Sequence, residues 1–448
     1  MNRFLALAFI AGCYDSTVEV GDLDKVLDVP AYPNHDVDML FVIDNSPSML
    51  DKQQALVASF QHMMDALGTL DGGMPSMHIG VVTSDMGTMG SQDAAPGTTI
   101  PGSVGGCHDV GDDGTLQHAA PELGGALYIE DLANPDGSRS RNYTGELRDV
   151  FAEIASAGAA GCGFEQHLAA MRRGLTNPAN AGFLRPGANL AVVIVADEDD
   201  CSLTHSALLD MNNPALGDLQ SFRCTQFGVT CDEGGISTTA MNTLGPKAKC
   251  HARTDSAYVE DVQPFVDFLV DLKGDARSVM VGVIGGSLDP FTVEERHSVS
   301  DGTDHVALAH SCMWADIDSN MAVADPAIRL NQLAEAFPGR GAFRTVCDAD
   351  LTLSLEAIGY TTANLLGDTC VNTALADTNA MPGIQPRCDV VDGDETVPQC
   401  DATHVGHCWR MIEDATCTGS PDHLRFQIDR TAQPTTQQYA SVHCVVAQ

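Results

Sequence analysis

An aspartate and two serines alternate directly after an apolar run, and their side chains could hold a metal ion. Asp44, Ser46 and Ser48 follow residues 38–43, and the single-residue spacers let their oxygen atoms face one point. Carboxylate and hydroxyl oxygens are the ligands that Mg²⁺, Mn²⁺ and Ca²⁺ prefer in proteins. A second acid, Asp197, ends a later apolar run. These four residues predict a divalent-cation site, with helix capping by Ser46 or Ser48 as the alternative.

The elements that must position these residues alternate between buried strands and helices. Four apolar runs are typical of strands buried on both faces, at residues 38–44, 77–83, 190–196 and 278–284. Helical apolar spacing is found at residues 50–67, 146–156, 165–175, 258–272, 326–337 and 351–366. This alternation predicts a right-handed α/β layer fold in which helices flank a sheet with parallel strands. In such a sheet, ligands bind at the carboxyl ends of strands where the strand order reverses, which is where Asp44 and Asp197 are expected.

Two further acids could complete or tune this site. Asp85 follows the second apolar run, and Asp199 lies two residues after Asp197. Both are therefore expected at neighbouring strand ends. Their alternative role is that of solvated loop acids, since aspartate is mostly exposed in proteins.

Irregular segments interrupt and follow the α/β pattern. Residues 86–143, 198–254 and 287–324 are predicted to be insertions, and the second of them contains four cysteines that suggest disulfide staples. Helical periodicity stops after residue 368, and six cysteines fall in the remaining residues. Residues 369–448 are therefore predicted to form a small, Cys-rich, mostly β module.

The charge balance excludes several partners. The 448 residues include 23 Lys+Arg and 61 Asp+Glu, for a formal net charge of −38. A nucleic-acid reader needs clustered Lys and Arg for phosphate contacts, and a polybasic lipid-binding surface needs them too. Neither function fits this chain, so no nucleic acid is expected as a partner.

The amino terminus predicts export and a lipid anchor. In residues 1–12, Arg3 precedes a short apolar run, which is typical of a secretory signal and too short to span a bilayer. An ordinary signal peptide or a buried strand is the alternative. Residues 10–13 (IAGC) resemble the lipobox of bacterial lipoproteins. This resemblance implies cleavage before Cys13, acylation of Cys13, and a tether over residues 13–36, with the membrane reached only through the lipid.

The cysteine count agrees with an oxidising, extracytoplasmic compartment. There are 15 Cys, and assigning Cys13 to lipid leaves an even number that could form seven disulfides. Zinc binding is the alternative, but CxxC and HxxxH pairs are absent from the sequence. The sequence does not determine which cysteines pair.

The strand runs and the Asp/Ser motif resemble the von Willebrand factor type A (VWA) domain. The resemblance covers residues 37–368 and rests on FVIDNSPSM (41–49), IGVVTSD (79–85) and VVIVAD (192–197). It implies a doubly wound, mostly parallel, Rossmann-like sheet flanked by helices, with a metal-ion-dependent adhesion site (MIDAS). Ser46 and Ser48 would ligate the ion directly, Asp44 and Asp197 would act through waters, and a partner's acidic side chain would fill an open position.

One departure from this family concerns the segment before the central helix. The family usually supplies a Thr ligand there, but residues 161–165 contain none, and Glu165 or a water is the expected substitute. The segments GCGFEQ (161–166), ADEDDCS (196–202) and CDAD (347–350) are similar to those of a subgroup of secreted, Cys-rich bacterial proteins. Cys162 is expected to be in a disulfide.

These observations favour a binding protein over an enzyme. The expected function is a lipid-anchored cell-envelope protein that engages a protein or surface ligand offering a carboxylate through Mg²⁺, Mn²⁺ or Ca²⁺. The sequence contains no nucleophile–base motif, so no enzymatic activity is expected. A metal-dependent envelope hydrolase with Glu165 or Asp85 as the acid–base group is one alternative. A structural envelope component with a vestigial metal site is the other.

Overall fold

The computed structural model of this chain describes residues 23–297, 302–378 and 383–447. The predicted signal peptide and the lipidation of Cys13 lie outside these residues. The strands are β1 (Asp24–Pro30), β2 (Asp36–Ile43), β3 (Ser76–Thr83), β4 (Ile129–Ala133), β5 (Arg139–Arg141), β6 (Asn189–Val195), β7 (Val229–Glu233), β8 (Gly245–Ala252), β9 (Val279–Gly285), β10 (Phe291–His297), β11 (Asp304–Leu308), β12 (Cys312–Ala315), β13 (Met321–Ala324), β14 (Gly341–Thr345), β15 (Cys388–Asp392), β16 (Glu395–Val397), β17 (Cys408–Glu413), β18 (Leu424–Asp429) and β19 (Tyr439–Cys444). The helices are α1 (Leu50–Leu67), α2 (Leu147–Ala155), α3 (His167–Thr176), α4 (Phe222–Gly228), α5 (Thr238–Met241), α6 (Gln263–Lys273), α7 (Ile328–Glu335) and α8 (Thr352–Leu365).

A seven-stranded sheet forms the centre of the molecule, in the order β14-β9-β6-β2-β3-β4-β5. The first five strands pair in parallel, whereas β4 and β5 add an antiparallel edge. The central strands β2 and β6 are buried on both faces, which explains their continuous apolar sequence. The predicted doubly wound, mostly parallel sheet is confirmed.

Helices cover both faces of this sheet. Met39, Phe41 and Ile43 of β2 pack in the core under α1, α2 and α8, while Leu40 and Val42 pack in the core under α3, α6 and α7. The alternation follows from the two-residue period of a strand. On the first face, the Phe41 ring lies 4.8 Å from the ring of Phe151 in α2, which stacks on Phe60 of α1. This aromatic cluster fixes the helix that follows the Asp/Ser motif.

The insertions contain more regular structure than their sequences indicate. Residues 86–143 include β4 and β5, so part of this predicted loop extends the central sheet. Strands from the second and third insertions join in one further sheet, in the order β11-β10-β8-β7. Two segments that are far apart in sequence therefore form a single layer beside the carboxyl ends of the central strands.

All fourteen cysteines after Cys13 are paired, which confirms the predicted seven disulfides and leaves no thiols for zinc among them. The pairs are Cys107–Cys162, Cys201–Cys224, Cys231–Cys250, Cys312–Cys347, Cys370–Cys417, Cys388–Cys444 and Cys400–Cys408. In the described ranges, no helix is long and apolar enough to cross a membrane.

The carboxyl-terminal region is β-rich, as predicted, but it includes a strand from the other end of the chain. Its four-stranded sheet has the order β1-β19-β15-β16. The tether prediction is therefore wrong for Asp24–Pro30, which pairs antiparallel with Tyr439–Cys444. The apolar alternation of β1 is hidden because the register shifts between Lys25 and Leu27, and because Asp28 is buried.

Candidate metal site

Asp44 and Asp197 lie side by side at the carboxyl ends of β2 and β6. The chain passes from β2 to its neighbour β3 and later to β6 on the opposite side of β2, so the strand order reverses at this point. The Asp44 amide donates a hydrogen bond to the Val195 carbonyl at 3.0 Å. The two acids therefore occupy the crevice where ligands bind in open α/β sheets.

The structure brings the four predicted residues together. The Ser46 Oγ and Ser48 Oγ atoms are 3.1 Å apart, and Ser48 Oγ donates to Asp197 Oδ1 at 3.2 Å. The Ser46 amide donates to Asp44 Oδ1 at 2.7 Å, which fixes the turn. Helix α1 has Met49 as its N-cap residue and no side-chain cap, so the structure does not use the serines for capping. Their hydroxyls are thus directed at each other and at Asp197.

One carboxylate oxygen at this point has no hydrogen-bond partner in the described part of the chain. Asp44 Oδ2 is buried and unbonded, and the nearest basic atom is His167 Nε2 at 3.5 Å. Both ring nitrogens of His167 are also without a hydrogen-bond partner among the described residues. A buried, unbonded carboxylate oxygen is costly unless a cation compensates it, so this donor set fits a hard divalent ion.

The acids around the site also shift the pKa of His167. Burial lowers the pKa of His167, but the Asp44 carboxylate and the charges of Asp200 and Asp199 raise it more, so that the net shift is upward. This histidine was not predicted, because a single His at the start of a helix gives no sign that it faces an acid 123 positions earlier, as Asp44 and His167 do.

A buried lysine that was not among the predicted site residues contributes a positive charge to the site. Lys52 Nζ lies 3.0 Å from Asp197 Oδ2 and 2.8 Å from the Ser48 carbonyl, with its side chain 3% exposed. It also lies 5.3 Å from the centre of the Trp314 ring. Lys52 is four residues after Ser48, and helical side chains tilt towards the helix N-terminus, so its spacing was the available signal.

The Asp197 carboxyl is affected by both neighbours. Burial, and then the Asp44 charge, raise the pKa of Asp197 to about 6, although Lys52 acts in the opposite direction. The lysine therefore offsets only part of the negative charge at this edge.

Asp199 and its neighbour Asp200 hold two helices in place around the site. The two oxygens of Asp199 accept hydrogen bonds from the Arg329 amide at 3.0 and 2.9 Å, at the start of α7. Asp200 Oδ1 accepts from the Leu168 amide at 2.9 Å at the start of α3, and its other oxygen pairs with the Arg329 guanidinium at 2.9 Å. Burial raises the pKa of Asp199 to about 6, against the Arg329 charge. Both acids thus cap helix N-termini that face the site.

Asp85 orders the turn after β3. Its Oδ1 accepts a hydrogen bond from the Gly87 amide at 2.8 Å, and a Cβ atom at Gly111 would lie only 2.2 Å from the same oxygen. Burial raises the pKa of Asp85, and the Asp112 charge adds to this rise. The residue before it, Ser84, places its hydroxyl 3.4 Å from Asp44 Oδ1. Ser84 is an additional oxygen near the site that the sequence motif did not include.

Glu165 lies deep in the molecule between α3 and the segment after β6. It is 2% exposed and, with Glu198 and Asp325, lines a cavity of about 120 Å³. Burial raises the pKa of Glu165 well above its ordinary range, and the charges of Glu198 and Asp44 raise it further. The preceding Cys162 is bonded to Cys107, as expected, and this disulfide ties the segment to the first insertion.

Comparisons with known proteins give only weak likenesses. No protein-family model and no curated protein matches the chain. Among solved structures, the pilus adhesin SpaC from Lactobacillus rhamnosus GG shares 10% identity with a TM-score of 0.31, over 92% of this chain and 39% of SpaC. A von Willebrand factor type A protein from Catenulispora acidiphila shares 12% identity with a TM-score of 0.30, over 97% of this chain and 68% of that one. The human COPII-coat protein Sec24c shares 10% identity with a TM-score of 0.29, over 93% of this chain and 40% of Sec24c. Likenesses of this size carry no functional argument, and the fold class rests on the strand order and the helix layers.

Proposed function

We propose that this chain is a lipid-anchored envelope protein that binds a macromolecular partner through a divalent cation. Asp44, Ser46, Ser48 and Asp197 would hold the ion in the manner of the VWA adhesion site that the sequence resembles. A bound ion would supply a positive charge with an open coordination position for a carboxylate of the partner. The observation that carries the proposal is the buried, unbonded Asp44 Oδ2 beside the paired serine hydroxyls.

Two details of the site bear on its strength. Ser84 offers a hydroxyl near Asp44 and could take the place of the threonine that residues 161–165 lack. Lys52 lies against Asp197 and repels any incoming cation. The proposed site therefore differs from a typical VWA site in one ligand and in its internal positive charge, and a modest affinity is expected.

The proposed extracytoplasmic location rests on the disulfides and the proposed lipid anchor, and not on the similar solved structures. Seven disulfides are typical of proteins outside the reducing cytoplasm. The proposed lipid anchor at Cys13 would place the molecule on a bacterial membrane, with the net charge of −38 facing a salt-containing medium. A carboxylate-bearing partner would approach this acidic surface only where a bound cation reverses the local charge.

Thermal unfolding with added metal tests the proposal. Mg²⁺, Mn²⁺ and Ca²⁺ are titrated separately into the purified chain, and at least one is expected to raise the melting temperature in a concentration-dependent way. Ser48→Ala should remove most of this rise. Ser91→Ala is the matched control, because Ser91 is exposed and far from the site in the sequence. No rise with any ion, or an equal rise in Ser48→Ala, would contradict the metal site.

A metal-dependent hydrolase is the second candidate, favoured by one observation. Glu165 is a buried carboxyl group in a cavity, and its raised pKa is a property of general acids. Chromogenic peptide, glycoside and phosphate-ester substrates with added Mn²⁺ test this candidate. Metal-dependent turnover that Glu165→Gln abolishes would favour the hydrolase over the binding protein.

A further inference from the structure

The cavity next to the metal site has an acidic lining. Its volume of about 120 Å³ is several times the roughly 10–15 Å³ that one water needs. Glu165, Glu198 and Asp325 contribute carboxylates to its lining. Glu198 directly follows Asp197, and the Asp325 amide donates to the Asp197 carbonyl at 2.8 Å. The cavity therefore adjoins the proposed metal site, and its lining also includes Asp199, which was expected to complete or tune that site.

Glu165 is the feature that points to a ligand. Its side chain is almost completely buried and lines the cavity. Its carboxyl group accepts a hydrogen bond from its own backbone amide, and Glu198, Asp44 and Asp197 lie close enough to affect its charge. A buried carboxylate surrounded by other acids is unfavourable, so an incoming cation that could reach it would gain a strong interaction.

The basic residues of the cavity wall are already paired with other acids. Arg296 contacts Glu294 at 3.1 Å and donates to the Leu308 carbonyl at 2.6 Å. The remaining pairs are His297 with Asp304 at 2.7 Å and His305 with Asp218 at 2.8 Å. Each of these basic groups already has an acidic partner, so the acids of the cavity remain open to a further cation.

The spacing of the acids favours an organic cation over a metal ion. A metal site needs at least three ligand atoms close together. In the described part of the chain, one group of three His, Cys, Asp or Glu residues has ligand atoms within 4.8 Å of one another, and it consists of Cys400, Cys408 and Asp429. The cavity acids are thus more widely spaced than a metal shell. An ammonium or guanidinium group has several N–H donors that can reach separate carboxylates.

The rest of the lining suits the stem of such a side chain. Phe222, Val306 and Leu308 also line the cavity. Lysine and arginine pack their methylene stems on apolar surface while their charged ends reach polar groups. We infer that this cavity binds an ammonium or guanidinium group, carried by a basic side chain of a partner or by a free amine. The inference does not depend on the metal ion.

Binding of small amino-acid probes to the full chain tests this inference. N-acetyl-arginine methylamide and N-acetyl-lysine methylamide are titrated in the presence of EDTA, with uncharged N-acetyl-norleucine methylamide as the control probe. At least one basic probe should bind and the control should not. Glu165→Gln and Glu198→Gln should each weaken binding roughly tenfold or more through loss of a charge-assisted hydrogen bond.

Matched variants separate this cavity from general charge effects and from the metal site. Glu153→Gln removes the same charge at an exposed position and should leave probe binding unchanged. Asp44→Asn should weaken it less than Glu165→Gln does, even if metal binding fails. The inference is overturned if neither basic probe binds, or if Glu153→Gln weakens binding as much as Glu165→Gln. It is also overturned if the uncharged probe binds equally well, or if Mn²⁺ binding is lost in Glu165→Gln but kept in Asp44→Asn.

Discussion

Buried acids in this molecule occur in two kinds of environment. Asp28 pairs with Arg340, and Asp392 accepts hydrogen bonds from Arg430 at 2.6 and 2.9 Å. Burial opposes ionisation of Asp28 and of Asp392, but the arginine charges and hydrogen bonds outweigh it and lower the pKa of both carboxyls. These acids stabilise the carboxyl-terminal module and its contact with the central domain.

At the carboxyl edge of β2 and β6, Asp197 contacts Lys52 and Asp200 pairs with Arg329, but three other acids (Asp44, Glu165 and Glu198) have no arginine partner among the described residues. Burial raises the pKa of Glu165 and of Glu198 well above the ordinary range, and neighbouring acids raise both further. Asp44 Oδ2 has no hydrogen-bond partner among the described residues. Asp28, Asp392 and Asp200 each pair with an arginine, so the lack of an arginine partner for Asp44, Glu165 and Glu198 among the described residues indicates that these three groups are left for cations from outside.

The largest expected effect comes from breaking a structural pair. Arg340→Met should lower the free energy of unfolding by about 3 kcal/mol, because it leaves the buried Asp28 carboxylate without its arginine. This loss is at the lower end of the range for a broken buried pair, because Lys25 remains 2.8 Å from Asp28. Chemical denaturation measures this loss. Arg148→Met, at an exposed arginine, is the control and should change stability by less than about 0.5 kcal/mol.

Asp44→Asn should give the opposite pattern. Without metal, this variant should lose much less stability than Arg340→Met, because the loss of repulsion from Asp197 and Glu165 offsets the lost contact with His167. With an ion at a hundredfold excess over its Kd, the wild type should gain about 2.7 kcal/mol and Asp44→Asn should not. If Asp44→Asn in EDTA were as destabilised as Arg340→Met, buried acids with and without an arginine partner would contribute equally to stability, which contradicts this account.

Lys52→Met should sharpen the same distinction at the metal site. Removing the ammonium beside Asp197 takes away its repulsion of the ion, so divalent-cation affinity should rise roughly tenfold, or about 1.4 kcal/mol. Isothermal titration calorimetry measures the change. Lys249→Met, at an exposed lysine that pairs with Glu233, should leave the affinity unchanged. A weaker affinity in Lys52→Met would mean that the lysine organises the site instead of competing with the ion.

The smallest expected effect is a difference in acid sensitivity. The pKa of Asp28 is lowered from its ordinary value of 3.8, so its stabilising contribution is complete above pH 3.8 and is lost as the pH falls through the folded-state value. Arg340→Met should therefore show a shallower loss of stability below pH 4 than the wild type. Denaturation curves between pH 5 and pH 3 compare the two slopes. Equal slopes would show that Arg340 does not set the ionisation of Asp28.

The parts of the site that lie within one strand and its following turn could be predicted from the sequence. The spacing of Asp44, Ser46 and Ser48 after an apolar run indicates both the strand and the convergence of oxygens. Asp197 could be added because parallel strands bring their carboxyl ends to one edge. The same reasoning gave the central sheet and its helices, since each strand run is long enough to be recognised locally.

The remaining features depend on contacts between distant segments. Lys52 reaches Asp197 across 145 residues, and the acidic cavity joins two insertions to the strand edge. Strand β1 was missed because its partner is Tyr439–Cys444, at the other end of the chain. Disulfide pairing was likewise undetermined, because spacing alone does not show which cysteines become neighbours in the fold.

Anomalous diffraction from crystals grown with Mn²⁺ tests the central claim most directly. The account predicts a strong anomalous peak in contact with the Ser46 and Ser48 hydroxyls, on the side of Asp44, that is absent from Asp44→Asn crystals. The absence of a peak at this position in the wild type, or the same peak in Asp44→Asn, would contradict the claim that the unpaired acids at this edge hold a cation.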